Sequence, residues 1–192
     1  MRLSCWWAFL ILGEPMKTAD QWTDLDYLRR AYINARDMSD DPETQNGAVL
    51  APFWYPEHNL LYGANRMPHG IKYTKEEIIT WPKEKRYRWM VHAERSVIAL
   101  AAFRGTPTQG ATLYCPWFAC TNCATMIIDA GVVRIVGHKQ VCDKLHSTWR
   151  EEIEEANRMF DKAGVKREYL DADLFDSNPA YAVMFRGKLW IP

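Results

Sequence analysis

The sequence has no surplus of charge of either sign. Its 24 lysines and arginines are matched by 24 aspartates and glutamates, so the formal net charge is zero. Proteins that bind nucleic acid or an anionic surface by electrostatics need a positive footprint that releases counterions. The charge balance therefore predicts no nucleic-acid partner and no membrane partner.

Cysteine is scarce, and its count and spacing argue against a small fold held together by disulfides. Five cysteines in 192 residues is an odd number, and they lack the dense spacing of a disulfide framework. This usage is typical of a reducing compartment, and we expect a cytoplasmic protein.

Long apolar runs are also missing. The run CWWAFLIL, residues 5–12, is far shorter than the ~20 residues that a membrane-spanning helix needs. It follows Arg2 as in a signal peptide, but the small-residue cleavage site is absent. We interpret residues 1–16 as an N-terminal extension that packs on the domain. The alternative is that Met16 is the true start.

The pattern that remains is one of alternating helices and strands, in a chain long enough for one domain with a substantial core. We predict a capping box at Thr18 and Gln21 that opens a first helix, and a long loop over residues 67–85. Further helices are predicted over 92–103, 120–130 and 148–163, and strands over 47–56, 59–65, 111–115, 132–138 and 165–170.

This order predicts an α/β fold with three layers, α/β/α. The first two strands form a hairpin and the later strands follow helical crossovers, so the expected sheet is mixed and five-stranded. We place the domain at residues 17–170 and treat residues 171–192 as a C-terminal tail with strand-like, apolar character.

Two predicted helix starts carry reactive side chains. His92 and Glu94 stand at one of them, and Cys120 and Cys123 stand at the other. One imidazole and two thiolates are a good ligand set for Zn²⁺, and three protein ligands leave a fourth position for water, whose pKa zinc lowers to about 7. In this arrangement Glu94 is not a ligand but a general acid and base.

Two other hypotheses use the same cysteines. Cys115 or Cys142 would complete a four-ligand structural zinc site, which gives Glu94 no task. A redox CxxC motif often follows a strand, and the predicted strand over residues 111–115 does precede Cys120 and Cys123. A redox role, however, leaves His92 and Glu94 without a function.

The joint pattern resembles a known family. The segments HAERSVIALAA, residues 92–102, and LYCPWFACTNCATMIIDAGVVRIV, residues 113–136, resemble the zinc-dependent cytidine and deoxycytidylate deaminase superfamily. DPETQNGAVL, GANRMPHGI and AGVKREYL narrow the resemblance to deoxycytidylate deaminases, and it covers roughly residues 17–170.

The resemblance implies a cytidine deaminase-like fold and specific roles. His92, Cys120 and Cys123 would bind zinc, and Glu94 would shuttle protons. Asn65 would hydrogen-bond the sugar or help to place the base. The backbone of Ala93 and the carbonyl beside Cys120 would receive the exocyclic amine.

Two further groups of residues are substrate-binding candidates. Trp117 and Phe118 would wall the base pocket by stacking, or else pack in the core. A monophosphate needs cationic donors, and their alternative role is to form a solvated surface. The candidates for the phosphate are Arg66, Lys83, Lys85, Arg86 and Arg88.

The expected reaction is hydrolytic deamination of a cytosine nucleotide, from dCMP to dUMP and ammonia. Alternatives are deamination of a free base, a nucleoside or another aminated heterocycle, and a non-catalytic zinc scaffold. A deaminase of tRNA or single strands would need a basic surface, which the neutral chain does not offer.

Assembly is the last expectation from the sequence. The apolar tail, the nine tryptophans and the family resemblance predict a homo-oligomer, from dimer to hexamer.

Overall fold

The computed structural model describes residues 21–53, 60–117, 119–144 and 147–192. Helix α1, Asp24–Met38, precedes an antiparallel pair of strands, β1, Gly47–Ala51, and β2, Leu61–Ala64. Two short helices follow, α2, Lys75–Thr80, and α3, Lys83–Trp89.

The second half of the chain alternates helices with strands. In order, its elements are α4, Ala93–Arg104; β3, Thr112–Tyr114; α5, Thr121–Asp129; β4, Arg134–His138; α6, Lys139–Cys142; α7, Ser147–Ala163; and β5, Lys166–Leu170. A 3₁₀ turn, Pro179–Tyr181, leads to a second hairpin formed by β6, Val183–Phe185, and β7, Lys188–Trp190.

The main sheet is mixed and five-stranded, with the order β2-β1-β3-β4-β5. Strand β1 pairs antiparallel with both β2 and β3, and the pairs β3–β4 and β4–β5 are parallel. The predicted α/β fold with a mixed five-stranded sheet is therefore confirmed.

Alternate residues of β1 divide the core between the two faces of the sheet. Ala48 and Leu50 lie in the cluster formed with α4, α5 and α7, whereas Val49 and Ala51 lie in the cluster formed with α1. Because side chains alternate along a strand, helices cover both faces, which gives the predicted three layers.

Glycines in β1 and β2 let two helices approach the sheet closely. A Cβ atom at Gly47 would lie 2.1 Å from the carbonyl oxygen of Ala31 in α1. A Cβ atom at Gly63 would lie 2.5 Å from the carbonyl oxygen of Ala93 and 2.6 Å from the amide nitrogen of Val97, both in α4. The backbone of α4 therefore rests directly on β2.

The predicted start of the first helix is wrong. Thr23, rather than Thr18, is the N-cap, and its hydroxyl accepts a hydrogen bond from the Asp26 amide while the Asp26 carboxylate accepts one from the Thr23 amide at 2.8 Å. Asp26 thus plays the part expected of Gln21. Thr18 lies outside the described residues.

The start of α1 is also tied to β4. Arg134 binds the Asp24 carboxylate through two nitrogens, at 2.9 and 2.6 Å.

The predicted loop over residues 67–85 is also wrong, since this segment holds α2 and the start of α3. The Thr74 hydroxyl caps α2 by accepting a hydrogen bond from the Glu77 amide at 3.0 Å. Pro82 stands at the N-cap of α3, where its missing N–H breaks no helical hydrogen bond. Ile78 is fully buried and packs with Met67 and Met90.

The described residues contain no helix that is both long and apolar enough to cross a membrane. The division of the chain into an extension, a domain over 17–170 and a tail stays a prediction, and residues 1–16 lie outside the described residues.

We expect the substitution Gly63→Ala to lower the free energy of unfolding by about 1–3 kcal/mol, because the added methyl group overpacks the contact between β2 and α4. Urea unfolding of the zinc-loaded protein measures this change. Lys166→Ala, at an exposed position of β5, is the control and should change stability by less than about 0.5 kcal/mol. Equal stability of Gly63→Ala and the parent would contradict the close approach of α4.

Candidate active site

Two helix starts meet beside the sheet, and at each of them the side chain of the N-cap residue forms no capping hydrogen bond. His92 is the N-cap residue of α4 and Cys120 is the N-cap residue of α5, both with extended backbone. Their carbonyl oxygens begin the helices by accepting from the amides of Ser96 and Ala124. The imidazole and the thiol are therefore not used for capping.

Instead, these side chains converge on each other and on Cys123. The His92 Nδ1 atom lies 3.6 Å from the Cys120 Sγ and 3.5 Å from the Cys123 Sγ. One donor atom from each residue fits within 4.8 Å of the others. One imidazole nitrogen and two sulfurs at this spacing fit Zn²⁺ by their chemistry and their number.

The other described cysteines lie outside this cluster. The Cys115 sulfur accepts a hydrogen bond from the Asn46 side chain at 3.3 Å, and the Cys142 thiol faces the Pro116 carbonyl oxygen at 3.8 Å. Within the described residues neither joins the three donors, so the geometry leaves one position of a tetrahedral ion open.

The environment favours a thiolate at Cys120. A hydrogen bond from the Cys123 thiol, helped by His92, lowers the pKa of Cys120 well below its usual range despite burial. The same pairing and burial raise the pKa of Cys123. A thiolate is the form that binds metal, and a cation bound there would deprotonate the second thiol as well.

Glu94 lies in the first turn of α4 and is only 3% exposed. Burial raises the pKa of its carboxyl group, and its Oε2 atom has no hydrogen-bond partner within the described part of the chain. A buried carboxyl group without a partner is costly, so its position calls for a functional explanation.

Asn65 holds the start of α4 in place. Its side-chain oxygen accepts a hydrogen bond from the Ala93 amide at 3.0 Å, and its side-chain nitrogen donates to the Thr44 carbonyl oxygen at 3.0 Å. Asn65 also lines the cavity described below. The predicted contacts of Asn65 with a sugar or base, and of the fully buried Ala93 with an amine, stay predictions.

His92, Glu94 and Cys120 line one cavity of about 660 Å³, which is within the range of small-molecule sites. Its aromatic walls come from several elements. The residues are Tyr87, Trp117, Trp149, Phe185 and Trp190. The predicted role of Trp117 in stacking on a base stays a prediction, although Trp117 does line the cavity. Phe118 lies outside the described residues.

The predicted phosphate-binding residues are dispersed. Lys83 lines the cavity. Arg86 is buried and pairs with Glu43 at 2.6 Å, while the Lys85 ammonium lies 3.7 Å from the centre of the Trp81 ring.

Arg66 points its guanidinium elsewhere. It donates to the Ser96 hydroxyl at 2.7 Å and to the Met67 carbonyl oxygen at 3.0 Å, and it is not among the described residues that line the cavity. Its role as a phosphate ligand, like that of Arg88, stays a prediction.

The C-terminal tail contributes to this cavity in a way that was not predicted from the sequence. Phe185, Arg186, Lys188, Leu189 and Trp190 all line it. No spacing pattern links a tail after residue 180 to helix starts near residues 92 and 120, so the sequence alone carries no signal for this contact.

The comparisons with known proteins agree with this site. The model of the "Cytidine and deoxycytidylate deaminase zinc-binding region" matches residues 22–139, more than half of the chain. This chain belongs to that family. The family binds zinc, so zinc is the metal of this protein, and the deaminase is a hydrolase that acts on carbon–nitrogen bonds.

Similar curated proteins include an uncharacterized deaminase in the luxG 3′ region of Aliivibrio fischeri. It is 33% identical over 138 residues, which cover 71% of this chain and 86% of that protein. The human deoxycytidylate deaminase is 27% identical over 152 residues, which cover 76% of this chain and 77% of the relative.

A solved structure supports the fold of this deaminase. The dCMP deaminase from the cyanophage S-TIM5 superposes with a TM-score of 0.56 and is 18% identical, over 81% of this chain and 100% of that one. The cytidine deaminase-like fold is therefore confirmed.

We expect His92→Ala, Cys120→Ala and Cys123→Ala to lose bound zinc and to melt at a lower temperature, because metal binding adds to the folding free energy. Metal content per chain, measured after dialysis against a chelator, checks this. Cys115→Ala is the matched control, a buried thiol outside the three donors, and it should keep its zinc. Loss of zinc from Cys115→Ala would instead indicate a structural site with four protein ligands.

Proposed function

We propose that this deaminase hydrolyses the exocyclic amine of a cytosine nucleotide, converting dCMP and water into dUMP and ammonia. The observation that carries the proposal is the buried Glu94 carboxyl group, which lines the same cavity as the His92 and Cys120 donors and whose Oε2 atom has no hydrogen-bond partner within the described residues. Deoxycytidylate deaminases among the similar proteins support the choice of substrate.

In this proposal His92, Cys120 and Cys123 hold zinc, and Glu94 moves protons. When bound, zinc supplies a Lewis acid that activates water for attack on an aminated carbon. Glu94 takes a proton from the attacking water and passes it to the ring nitrogen N3, and it then carries the second proton of that oxygen to the amino group, which leaves as ammonia. Its raised pKa suits this work, because a group that both takes and gives protons functions best with a pKa near the working pH.

The position of Glu94 also disfavours the scaffold hypothesis. A zinc site that only stabilises the fold gains nothing from a carboxyl group that is 3% exposed and, in the part of the chain that the structure describes, lacks a partner for one oxygen. In a deaminase the Glu94 carboxyl group exchanges protons with the attacking water and with the substrate in every turnover.

Assembly into a homo-oligomer stays part of the proposal. Some large apolar side chains are exposed, among them Phe103 at 82% and Phe53 at 67%, and such side chains are candidates for a subunit interface. Light scattering at micromolar concentration measures the number of subunits directly.

We expect Glu94→Gln to keep its zinc and to bind dCMP with the parent's affinity, but to lose about 10²–10⁴-fold in kcat, since the amide keeps the size of the side chain but cannot carry a proton. Zinc content, the Kd for dCMP and the rate of ammonia release are measured on the variant and on the parent.

Glu76→Gln makes the same chemical change at an exposed position of α2 and should turn over dCMP as the parent does. Parental turnover by Glu94→Gln would refute its assignment as the proton shuttle.

A further inference from the structure

The C-terminal hairpin has an unusual turn. Phe185 pairs with Lys188, so the loop contains only Arg186 and Gly187, and both have positive φ angles, of 55° and 74°. Two-residue turns of this kind favour Asn followed by Gly, because a side chain other than that of Asn, Asp or Gly is strained at positive φ. An arginine at this position is unfavourable for the fold alone, and such outliers often mark functional positions.

The hairpin is fixed to the domain beside the cavity. The Gln45 amide donates to the Met184 carbonyl oxygen at 2.9 Å, and the Gly187 amide donates to the Glu43 carbonyl oxygen at 2.9 Å. The Gln45 side chain accepts from the Met184 amide at 2.8 Å. These bonds join the hairpin to the segment that precedes β1, so it forms a fixed wall of the cavity.

Aromatic packing fixes the other side of the hairpin. The Trp190 ring lies 5.7 Å from the rings of Tyr32 and of His138, measured between centroids. The Phe185 ring lies 4.6 Å from that of Trp117. The hairpin is therefore packed against both the sheet layer and the aromatic residue that precedes the zinc-binding cysteines.

The cavity rim carries cations that have no acidic partner within the described residues. Arg186, Lys188 and Lys83 line the cavity, and none of them forms an ion pair with an acidic side chain in the parts of the chain that the structure describes. One Arg186 nitrogen donates to the Lys144 carbonyl oxygen at 3.2 Å, which holds the side chain but does not neutralise its charge.

Of the acidic residues that line the same cavity, Glu43 and Asp41 are already engaged, and Glu94 is the proposed proton shuttle. Glu43 pairs with Arg86 at 2.6 Å. One Asp41 oxygen accepts hydrogen bonds from the amides of Glu43 and Thr44, at 2.9 and 3.0 Å. Among the described residues the rim therefore presents positive charge without an acidic partner, in a chain whose net charge is zero.

We propose that the C-terminal hairpin is the wall of the cavity that determines the substrate specificity of this deaminase. Arg186 and Lys188 of the hairpin, together with Lys83 at the start of α3, bind the phosphate of the nucleotide substrate. An arginine guanidinium can donate two parallel hydrogen bonds to a phosphate, and a lysine adds a further charge. The hairpin thus makes the cavity prefer a nucleotide to the corresponding nucleoside. This inference rests on the proposed function, because it names a subsite of the same cavity.

The test compares the affinities for dCMP and deoxycytidine, which differ only in the phosphate. Binding is measured by tryptophan fluorescence on zinc-loaded protein carrying Glu94→Gln, so that turnover is slow during the measurement. The added substitutions are Arg186→Asn, Lys188→Gln and both together. Asn is favoured at the positive φ of residue 186, so the Arg186→Asn protein should keep the parental melting temperature while it loses the guanidinium charge.

We expect each substitution to lower the ratio of the deoxycytidine Kd to the dCMP Kd about tenfold, and the pair to lower it about a hundredfold, as for the loss of hydrogen bonds to a charged group. Lys162→Gln removes a charge near the end of α7 and should leave this ratio unchanged. An unchanged ratio in the double variant, or a parent that binds the two compounds equally, overturns the inference.

The outcome separates this inference from the proposed function. If the parent releases ammonia from dCMP and the double variant keeps the parental Kd ratio, only the role of the hairpin is refuted. If the parent releases no ammonia from any cytosine compound, the proposed function is refuted, whereas a Kd ratio that falls on substitution still supports phosphate binding by the hairpin.

Discussion

The close packing of α4 on β2 is the constraint on which the site depends. Gly63 allows the helix backbone to rest on the strand, and Asn65 accepts a hydrogen bond from the Ala93 amide and so fixes where the helix begins. His92 and Glu94 flank that amide, so their directions are set by the same two contacts. The first turn of α4 thereby faces the start of α5, where Cys120 and Cys123 supply the thiols.

The zinc-binding residues were predictable from the sequence. Cys120 and Cys123 are three residues apart at one helix start, so both sulfurs face the same way, and His92 stands at another helix start. The alternation of helices and strands likewise predicted the mixed five-stranded sheet, because its signals are local: apolar periodicity, a hairpin, and crossovers long enough for parallel strands.

The parts that sequence reasoning missed depend on contacts between distant segments. Thr23 caps α1 in a fold that also ties Asp24 to Arg134, 110 residues away. The helices within residues 67–85 are stabilised by the burial of Ile78 against Met67 and Met90, and short helices gain little from propensity alone. Arg186 reaches the cavity only because the tail hairpin bonds to residues 43–45.

We propose that zinc and Glu94 together deaminate a cytosine nucleotide. The direct test is ammonia release by the zinc-loaded parent, measured with dCMP, deoxycytidine, cytosine, dCTP and guanine. We expect dCMP to be turned over with the highest kcat/KM and dUMP to form in equal amount with ammonia. Release of ammonia from guanine alone, or from none of the five compounds, would contradict it.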